Sequence, residues 1–398
     1  MDLSTTYIYE RMPLVLLFAT GYILYRVIAS AGLPEYFASA ASRFSRGRTD
    51  LLILSLIVVS AALSMFIPNA VTVLAMIPVI RKLDRELESL TTPLTLSIIY
   101  GSNIGGMGSL IGSPANLLLI GTLDFFNVPG RSQITFFNWF LWALPLVLIF
   151  LLLAWLVLRL IIPKAAKSLY TTKAKVEELN SRQKRSLRLF ILFIAFWAFS
   201  SVLREFSLIY FEYEYVAAIV FSVIFVWLVL GRKLIRWHEL IEGVPLRGII
   251  FLGLLGLLIV TVRMLRLDEY AAQGFTILMA GLEADGQSGY PLYLATALVV
   301  ILLTEFLSNT VVSTAFFAVI VHAAAIYHID PLPLMVLVSA ASTCAFMTPV
   351  ATPCNSLAVG EMRGMSLRTM VVLGFILNLL GSILLSLWIW KVVPLIYN

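Results

Sequence analysis

The sequence predicts an all-α polytopic membrane protein with about eight full crossings, built from inverted repeats that each carry a re-entrant hairpin and a broken helix. Three observations lead there. Of the 398 residues, 60% are apolar and only 13% charged, with a mean hydropathy of +0.96. A soluble domain is about half apolar and about a quarter charged. The apolar residues gather in blocks of roughly 16–27, long enough to cross a hydrocarbon core of about 30 Å. The order of these blocks occurs twice along the chain, and lysine and arginine concentrate in particular loops between them.

The first block is Met12–Ser30, with Pro13 placed for a helix start. It follows acidic and basic residues and is of full span length, so it reads as a retained span and not a cleaved signal. An amphipathic stretch, Leu33–Arg48, comes next. Leu51–Ile80 is apolar but interrupted at Pro68-Asn69. Thr95–Leu123 is interrupted twice, at Gly101–Gly106 and at Gly112-Ser113-Pro114-Ala115-Asn116. Phe136–Ile162 is a clean span, and the charged stretch Pro163–Arg188 breaks the chain. Two ordinary spans follow, Leu189–Leu203 and Tyr215–Leu230. The early order then returns: the span Gly248–Val262, an amphipathic stretch over Asp268–Asp285, and Leu292–Ile326 broken at Ser308-Asn309-Thr310. Leu332–Val359, broken between Thr348 and Asn355, and the closing span Val371–Leu395 complete it.

The two runs agree in register. Ser64 lies 5 residues before Asn69 and Thr304 lies 5 before Asn309; Asn69 to Asn116 is 47 residues and Asn309 to Asn355 is 46. Repetition of interrupted spans points to a transporter and to its binding site. If 51–80 and 292–326 are hairpins that enter and leave on one side, loops 31–50, 81–94, 163–188, 231–247 and 360–368 share a face. That face then holds 20 of the 28 lysines and arginines. Full crossings would split them between faces. The bias places those loops in the cytoplasm and both termini outside, in an inner or plasma membrane, and it makes the repeats inverted. The chain divides into a first repeat with a cytoplasmic linker (1–188; hairpin 51–82, broken helix 95–124), two scaffold spans (189–246) and a second repeat (247–398; hairpin 291–327, broken helix 332–360).

Non-helical backbone at membrane depth survives only when it is buried in protein or lines a wet cavity. Helix N-termini at such breaks suit an anion, and unwound carbonyls and helix C-termini suit a cation. The residues at the breaks are small, hydroxylic or amide: Ser64, Asn69, Ser113, Asn116, Thr304, Ser308, Asn309, Thr310, Thr352 and Asn355. Pro114 and Pro353 force the interruptions by removing a donor.

Ser308-Asn309-Thr310, followed by Ala351-Thr352-Pro353-Cys354-Asn355, resembles the divalent anion/sodium symporter family, the sodium-coupled dicarboxylate and sulfate transporters. Gly105-Gly106-Met107 leading to Gly112–Asn116 is similar to the family's first-repeat version. The wider ion-transporter superfamily also holds arsenite efflux pumps and sodium/proton antiporters. The detailed match covers four short blocks, and the order of hairpin and broken helix covers most of the chain. The resemblance implies a scaffold domain, a transport domain carrying both hairpins, and an elevator motion within a homodimer. It implies sodium as the coupling ion, no cofactor, and cation-coupled uptake of a small anion. Carried onto this chain, one sodium would meet Ser64, Asn69 and Gly112, and a second Thr304, Ser308, Asn309 and Ala351. The anion would meet Asn69, Ser113, Asn309, Thr310, Thr352 and Pro353. One departure is the first tip, Pro68-Asn69-Ala70, which lacks both hydroxyls of the family's Ser-Asn-Thr. Another is that the first repeat has no counterpart of the spans at 189–230.

Glu305, beside the second tip, is an ionisable residue inside a membrane segment. It is expected either to couple protons or to pair with an interfacial cation. Arg26, Arg159, Arg263 and Arg266 lie near span ends, where snorkelling accounts for them. Cys344 and Cys354 lie in apolar surroundings and read as buried thiols with no disulfide framework. His238, His322 and His328 are scattered without metal-ligand spacing. The formal net charge of +6 sits in short loops, as topology determinants and not as a nucleic-acid surface. Lys173–Arg188 reads as a solvated cytoplasmic helix. There is no nucleophile motif or phosphate-binding glycine loop. An antiporter or efflux pump of the superfamily is the second expectation, although neither tip has the Asp that suits cation/proton exchange. A membrane enzyme or receptor is the third, and it would need paired titratable groups that the broken segments lack.

Overall fold

The computed structural model describes residues 5–45, 47–86, 90–162, 178–206, 211–236, 238, 264, 289–327, 329–362 and 364–397. The expected span Gly248–Val262, the stretch 268–285, Arg263, Arg266, His328 and most of the charged linker lie outside them. Among the described residues there are fourteen α-helices and no strand. They are α1 (Thr5–Ser30), α2 (Leu33–Phe44), α3 (Thr49–Ser64), α4 (Asn69–Glu86), α5 (Thr91–Gly105), α6 (Pro114–Phe125) and α7 (Phe136–Arg159). The others are α8 (Ser181–Glu205), α9 (Phe211–Gly231), α10 (Tyr290–Thr304), α11 (Asn309–Tyr327), α12 (Pro331–Ala341), α13 (Pro353–Glu361) and α14 (Leu367–Ile396). Stretches of α1, α7, α8, α9 and α14 are long and apolar enough to cross a membrane. By contrast α3, of 16 residues, and α10, of 15, reach only about 22–24 Å at 1.5 Å per residue.

Two boundaries differ from the sequence expectation. α1 begins at Thr5, so Pro13 lies inside the helix and not at its start. A membrane helix bridges a proline where neighbours re-satisfy the freed carbonyl. α8 begins at Ser181, so Arg182–Arg188 open the same helix as the span Leu189–Leu203 and do not belong to a separate stretch before it. Its start is a capping box: Asn180 Oδ1 accepts from Gln183 N at 2.8 Å, and Asn180 N donates to Gln183 Oε1 at 3.0 Å.

α1 packs on α8 and α9. Arg182 ties one end of this group, donating to Ser30 Oγ at 3.1 Å and Leu234 O at 2.8 Å. Phe196 and Phe221 stack within it at 3.8 Å. The helices α3–α7 and α10–α14 form two further groups with the same internal partners. α3 packs on α5 and α7; α10 packs on α12 and α14. The groups also exchange arms, since α4 packs against α13 and α11 against α6.

The contact between α3 and α5 explains a misread signal. Gly101–Gly106 was expected to interrupt the helix, yet α5 runs unbroken through Gly105. A Cβ on Gly101 would run into the Ile57 carbonyl, and one on Gly105 into the backbone of Ala61. These glycines are notches that let two helices touch backbone to backbone. Ser60 completes the seam, donating to Ile98 O at 2.8 Å and lying 2.7 Å from Ser102 Oγ.

Overpacking such a seam costs about 1–3 kcal/mol. Gly105→Ala is therefore expected to lower the melting temperature of the purified protein by several degrees. Gly121→Ala, where an added Cβ meets nothing within 4 Å, is expected to leave it unchanged or raise it. Equal melting of the two variants in detergent would refute the close-contact account.

Candidate functional site

The site is assembled from four places where a helix starts inside the apolar body. α3 ends at Ser64 and α4 starts at Asn69; α10 ends at Thr304 and α11 starts at Asn309. The turns between them are tight. Ile67 N donates to Leu63 O and Leu307 N to Leu303 O, each at 2.9 Å. The other two starts follow unwound segments. α5 stops at Gly105 and α6 begins at Pro114, with Ser113 as its cap, accepting from Ala115 N at 3.3 Å. α12 stops at Ala341 and α13 begins at Pro353, with Thr352 as its cap, accepting from Asn355 N at 3.3 Å. Proline suits the first helical position because the N–H it lacks has no intrahelical partner there.

These four starts surround one cavity of about 660 Å³. Asn69, Ser113, Asn309, Thr310, Thr352 and Pro353, the residues expected to meet the anion, all line it, as do Gly112, Ser308 and Ala351. Ser64 and Thr304 lie behind the lining, fully buried. Their hydroxyls donate to the tip amides in matching fashion: Ser64 Oγ to Asn69 Oδ1 and Thr304 Oγ1 to Asn309 Oδ1, each at 2.6 Å. No charged side chain lines the cavity among the described residues. Of the α1/α8/α9 group, Phe18 on α1 reaches it. The lining hydroxyls are Ser308, Thr310, Thr352 and Ser356 from the second group, against Ser113 from the first.

Asn116 and Asn355 do not line the cavity; both are fully buried and act as staples. Asn116 Nδ2 donates to Gly106 O at 3.1 Å and Ser109 O at 2.8 Å. Asn355 Nδ2 donates to Ala345 O and Thr348 O, each at 2.9 Å. Each amide closes the unwound segment before its own helix. Each also accepts from the other group: Ser339 Oγ to Asn116 Oδ1 at 2.8 Å, and Asn103 Nδ2 to Asn355 Oδ1 at 3.1 Å.

Asn103 is the residue that sequence reasoning passed over. It is fully buried on α5 and joins the two groups. It donates to Ala345 O at 2.7 Å and accepts from Asn69 Nδ2 at 3.3 Å and from the Cys354 thiol at 3.1 Å. Its signal was a single amide in an apolar block, submerged in a glycine run read as a break. Cys354, expected only as a buried thiol, is at the cavity edge.

Glu305 lies apart from the lining. Among the described residues its carboxylate has no cation partner, and what it meets there is N–H donors. Its carboxylate accepts from the backbone N–H groups of Phe346, Met347 and Thr348 and from Asn378 Nδ2.

Comparison with known proteins supplies the family. The profile of the family described as "Citrate transporter" matches residues 6–333. The sodium-dependent dicarboxylate transporter SdcS of Staphylococcus saprophyticus is 25% identical over 412 residues, covering 96% of this chain and 76% of that protein. Its namesake in Staphylococcus aureus is 26% identical over 421 residues, covering 96% and 77%. An uncharacterized transporter of Haemophilus influenzae is 26% identical over 387 residues, covering 94% and 80%. Among solved structures, the YdaH transporter of Alcanivorax borkumensis, described as having an unusual topology, superposes with a TM-score of 0.58 at 14% identity. That match covers 97% of this chain and 87% of the other, and it bears on the fold alone.

A buried polar group that loses its partner costs about 1–3 kcal/mol. Asn103→Leu is therefore expected to lower the melting temperature by several degrees, since it removes at once a donor to Ala345 O and to Asn355 Oδ1 and the acceptor of the Asn69 amide. Ser339→Ala, which removes one neutral donor, is expected to cost less. The ranking is checked by thermal unfolding of both variants in one detergent, and the reverse order would contradict the assigned bonds.

Proposed function

This chain belongs to the citrate transporter family, and we propose that it carries a small carboxylate anion, a dicarboxylate first and sulfate second, through the cavity between its two tips, driven by co-transported sodium. The family and the relatives are transporters, not enzymes, and the chain is an integral membrane protein. The observation that carries the proposal is the meeting of four helix starts, at Asn69, Pro114, Asn309 and Pro353, around a cavity with no charged side chain among the described residues. A helix N-terminus presents unpaired N–H groups and roughly half a positive charge. Four of them supply on the order of two positive charges, which suits a dianion held by backbone, amide and hydroxyl groups.

The cation reading rests on the opposite poles. α3 ends at Ser64 and α10 at Thr304, so carbonyl ends stand behind each tip. The donors there are all oxygens: the Ser64 and Thr304 hydroxyls, the Asn69 and Asn309 side-chain carbonyls, and the backbone of Gly112, Ser308 and Ala351. Oxygen-only sets suit hard cations, and the sodium dependence named for the two staphylococcal relatives supports sodium over protons. The absence of a carboxylate from the described lining favours symport over cation/proton exchange. The anion leans on the second group, whose tip keeps Ser308 and Thr310 where the first has Pro68 and Ala70.

Matched partners in α3–α7 and α10–α14 support the division at 1–188, 189–246 and 247–398. With the short α3 and α10 they support re-entrant hairpins and inverted repeats, and the lysine and arginine bias of the loops supports termini on the outer side. In this reading α3–α7 and α10–α14 hold the cargo and move as an elevator against a scaffold that includes α1, α8 and α9, within a homodimer.

Proteoliposomes loaded with the purified protein are expected to accumulate labelled succinate, citrate or sulfate under an inward sodium gradient. No uptake of any of the three, with or without the gradient, would overturn the proposal. Asn309→Ala is expected to reduce uptake at least tenfold while the protein still folds, because the amide serves both cargoes. Ala70→Thr is expected to lower the anion KM by restoring a hydroxyl at the first tip; an unchanged KM would show that this tip does not face the anion.

A further inference from the structure

We infer that Glu305 is a positioning residue, whose carboxylate holds the unwound segment before α13 against the second tip and so sets where Ala351 and Thr352 stand at the cavity. The role rests on the transport reading for its functional meaning, but its geometry stands independently of that reading.

Glu305 directly follows the last residue of α10 and has no exposed surface. Its Oε1 accepts from Phe346 N at 2.7 Å, Met347 N at 2.8 Å and Asn378 Nδ2 at 2.7 Å; its Oε2 accepts from Thr348 N at 2.9 Å. Its backbone carbonyl accepts from Thr348 Oγ1 at 2.6 Å. Three successive N–H groups that belong to no helix thus converge on one side chain. A carboxyl group can take several N–H donors at once, and the alternative for these N–H groups at membrane depth is to go unpaired. One carboxylate thereby joins the end of α10, the unwound segment and α14.

The first group meets the same need without a carboxyl group. Met65 stands 4 residues before Asn69, as Glu305 stands 4 before Asn309. Its carbonyl takes the hydroxyl of Ser109, the counterpart of the bond from Thr348 to Glu305. There the likeness stops. The N–H groups of Met107 and Gly108 close short turns onto Ile104 O at 3.3 Å and Gly105 O at 2.8 Å. Trp139 on α7 reaches Met107 O at 3.0 Å, where Asn378 on α14 reaches Glu305. With both segments stapled through their carbonyls by Asn116 and Asn355, the two differ in their N–H groups: those of Met107 and Gly108 are met by backbone, those of Phe346, Met347 and Thr348 by one carboxylate. That carboxylate belongs to the group that carries most of the lining hydroxyls.

The test uses full-length protein with Glu305→Gln and, should that variant fold poorly, Asn378→Ala, which removes one contact and leaves the Glu305 side chain in place. Hydrogen–deuterium exchange is read on peptides covering 342–352 and 106–113, and uptake is measured on the same preparations. The expected result is at least tenfold faster exchange at 342–352 with 106–113 unchanged. The anion KM is expected to rise several-fold with the maximal rate within about threefold of wild type. Asn378→Ala is expected to move both readouts the same way by less. Unchanged exchange at 342–352, equal acceleration in both segments, or an unchanged KM beside normal wild-type uptake would overturn the inference. Wild-type protein without uptake would instead sink the transport reading, leaving the exchange arm to decide the role of Glu305.

Discussion

Backbone that leaves the helix inside a bilayer must find its partners within the protein or line a wet cavity. In this chain two asparagines meet that demand. Asn116 and Asn355 each reach back to two carbonyls of the segment just before their own helix. Those four bonds let α5 and α12 stop, and α6 and α13 start, at a depth where neither could end on water. The cavity exists because of this. Helix starts with unpaired N–H groups can face an open space only if the carbonyls beside them are already occupied. The tips contribute the other two starts by a different device, a turn too short to need such a staple.

The two groups of five helices are interlocked and do not merely lie side by side. α4 rests on α13 and α11 on α6, so the second arm of each hairpin is seated on its opposite. The hydrogen bonds repeat the exchange. Asn103 on α5 binds the carbonyl of Ala345 and the side chain of Asn355, and Ser339 on α12 binds Asn116. The cavity therefore has no half that belongs to one group. Departures from symmetry stand out against this likeness: Ala70 opposite Thr310, and Met65 where the second group has Glu305. Both place more polarity in the second group.

Much of this was legible in the sequence because a break in an apolar block is conspicuous. Prolines at 114 and 353 and amides at 69 and 309 interrupt long apolar runs in matched register, and the residues expected to meet an anion do surround one cavity. What stayed hidden had no local signature. Gly101 and Gly105 look like helix breakers, yet the same missing Cβ serves a helix that must touch another. Asn103 finds its partners 242 and 252 residues away. The partners of Glu305 are mainly backbone N–H groups, which no letter of the sequence encodes. The start of α8 is legible in the sequence, since Asn180 and Gln183 stand at capping-box spacing.

The distance between Asn103 and Asn355 also has a meaning in time. Ribosomes add about 5–20 residues per second, so the 252 residues between them take on the order of 10–50 s to make. Through that interval the amides of Asn103 and Asn116 are already in the chain while Ala345, Asn355 and Ser339 have yet to be synthesised. The nascent first half is thus a long-lived intermediate with polar groups still waiting for partners. Any pause in translation between the halves prolongs that wait, so the pace of synthesis sets how long the first half stands without the second.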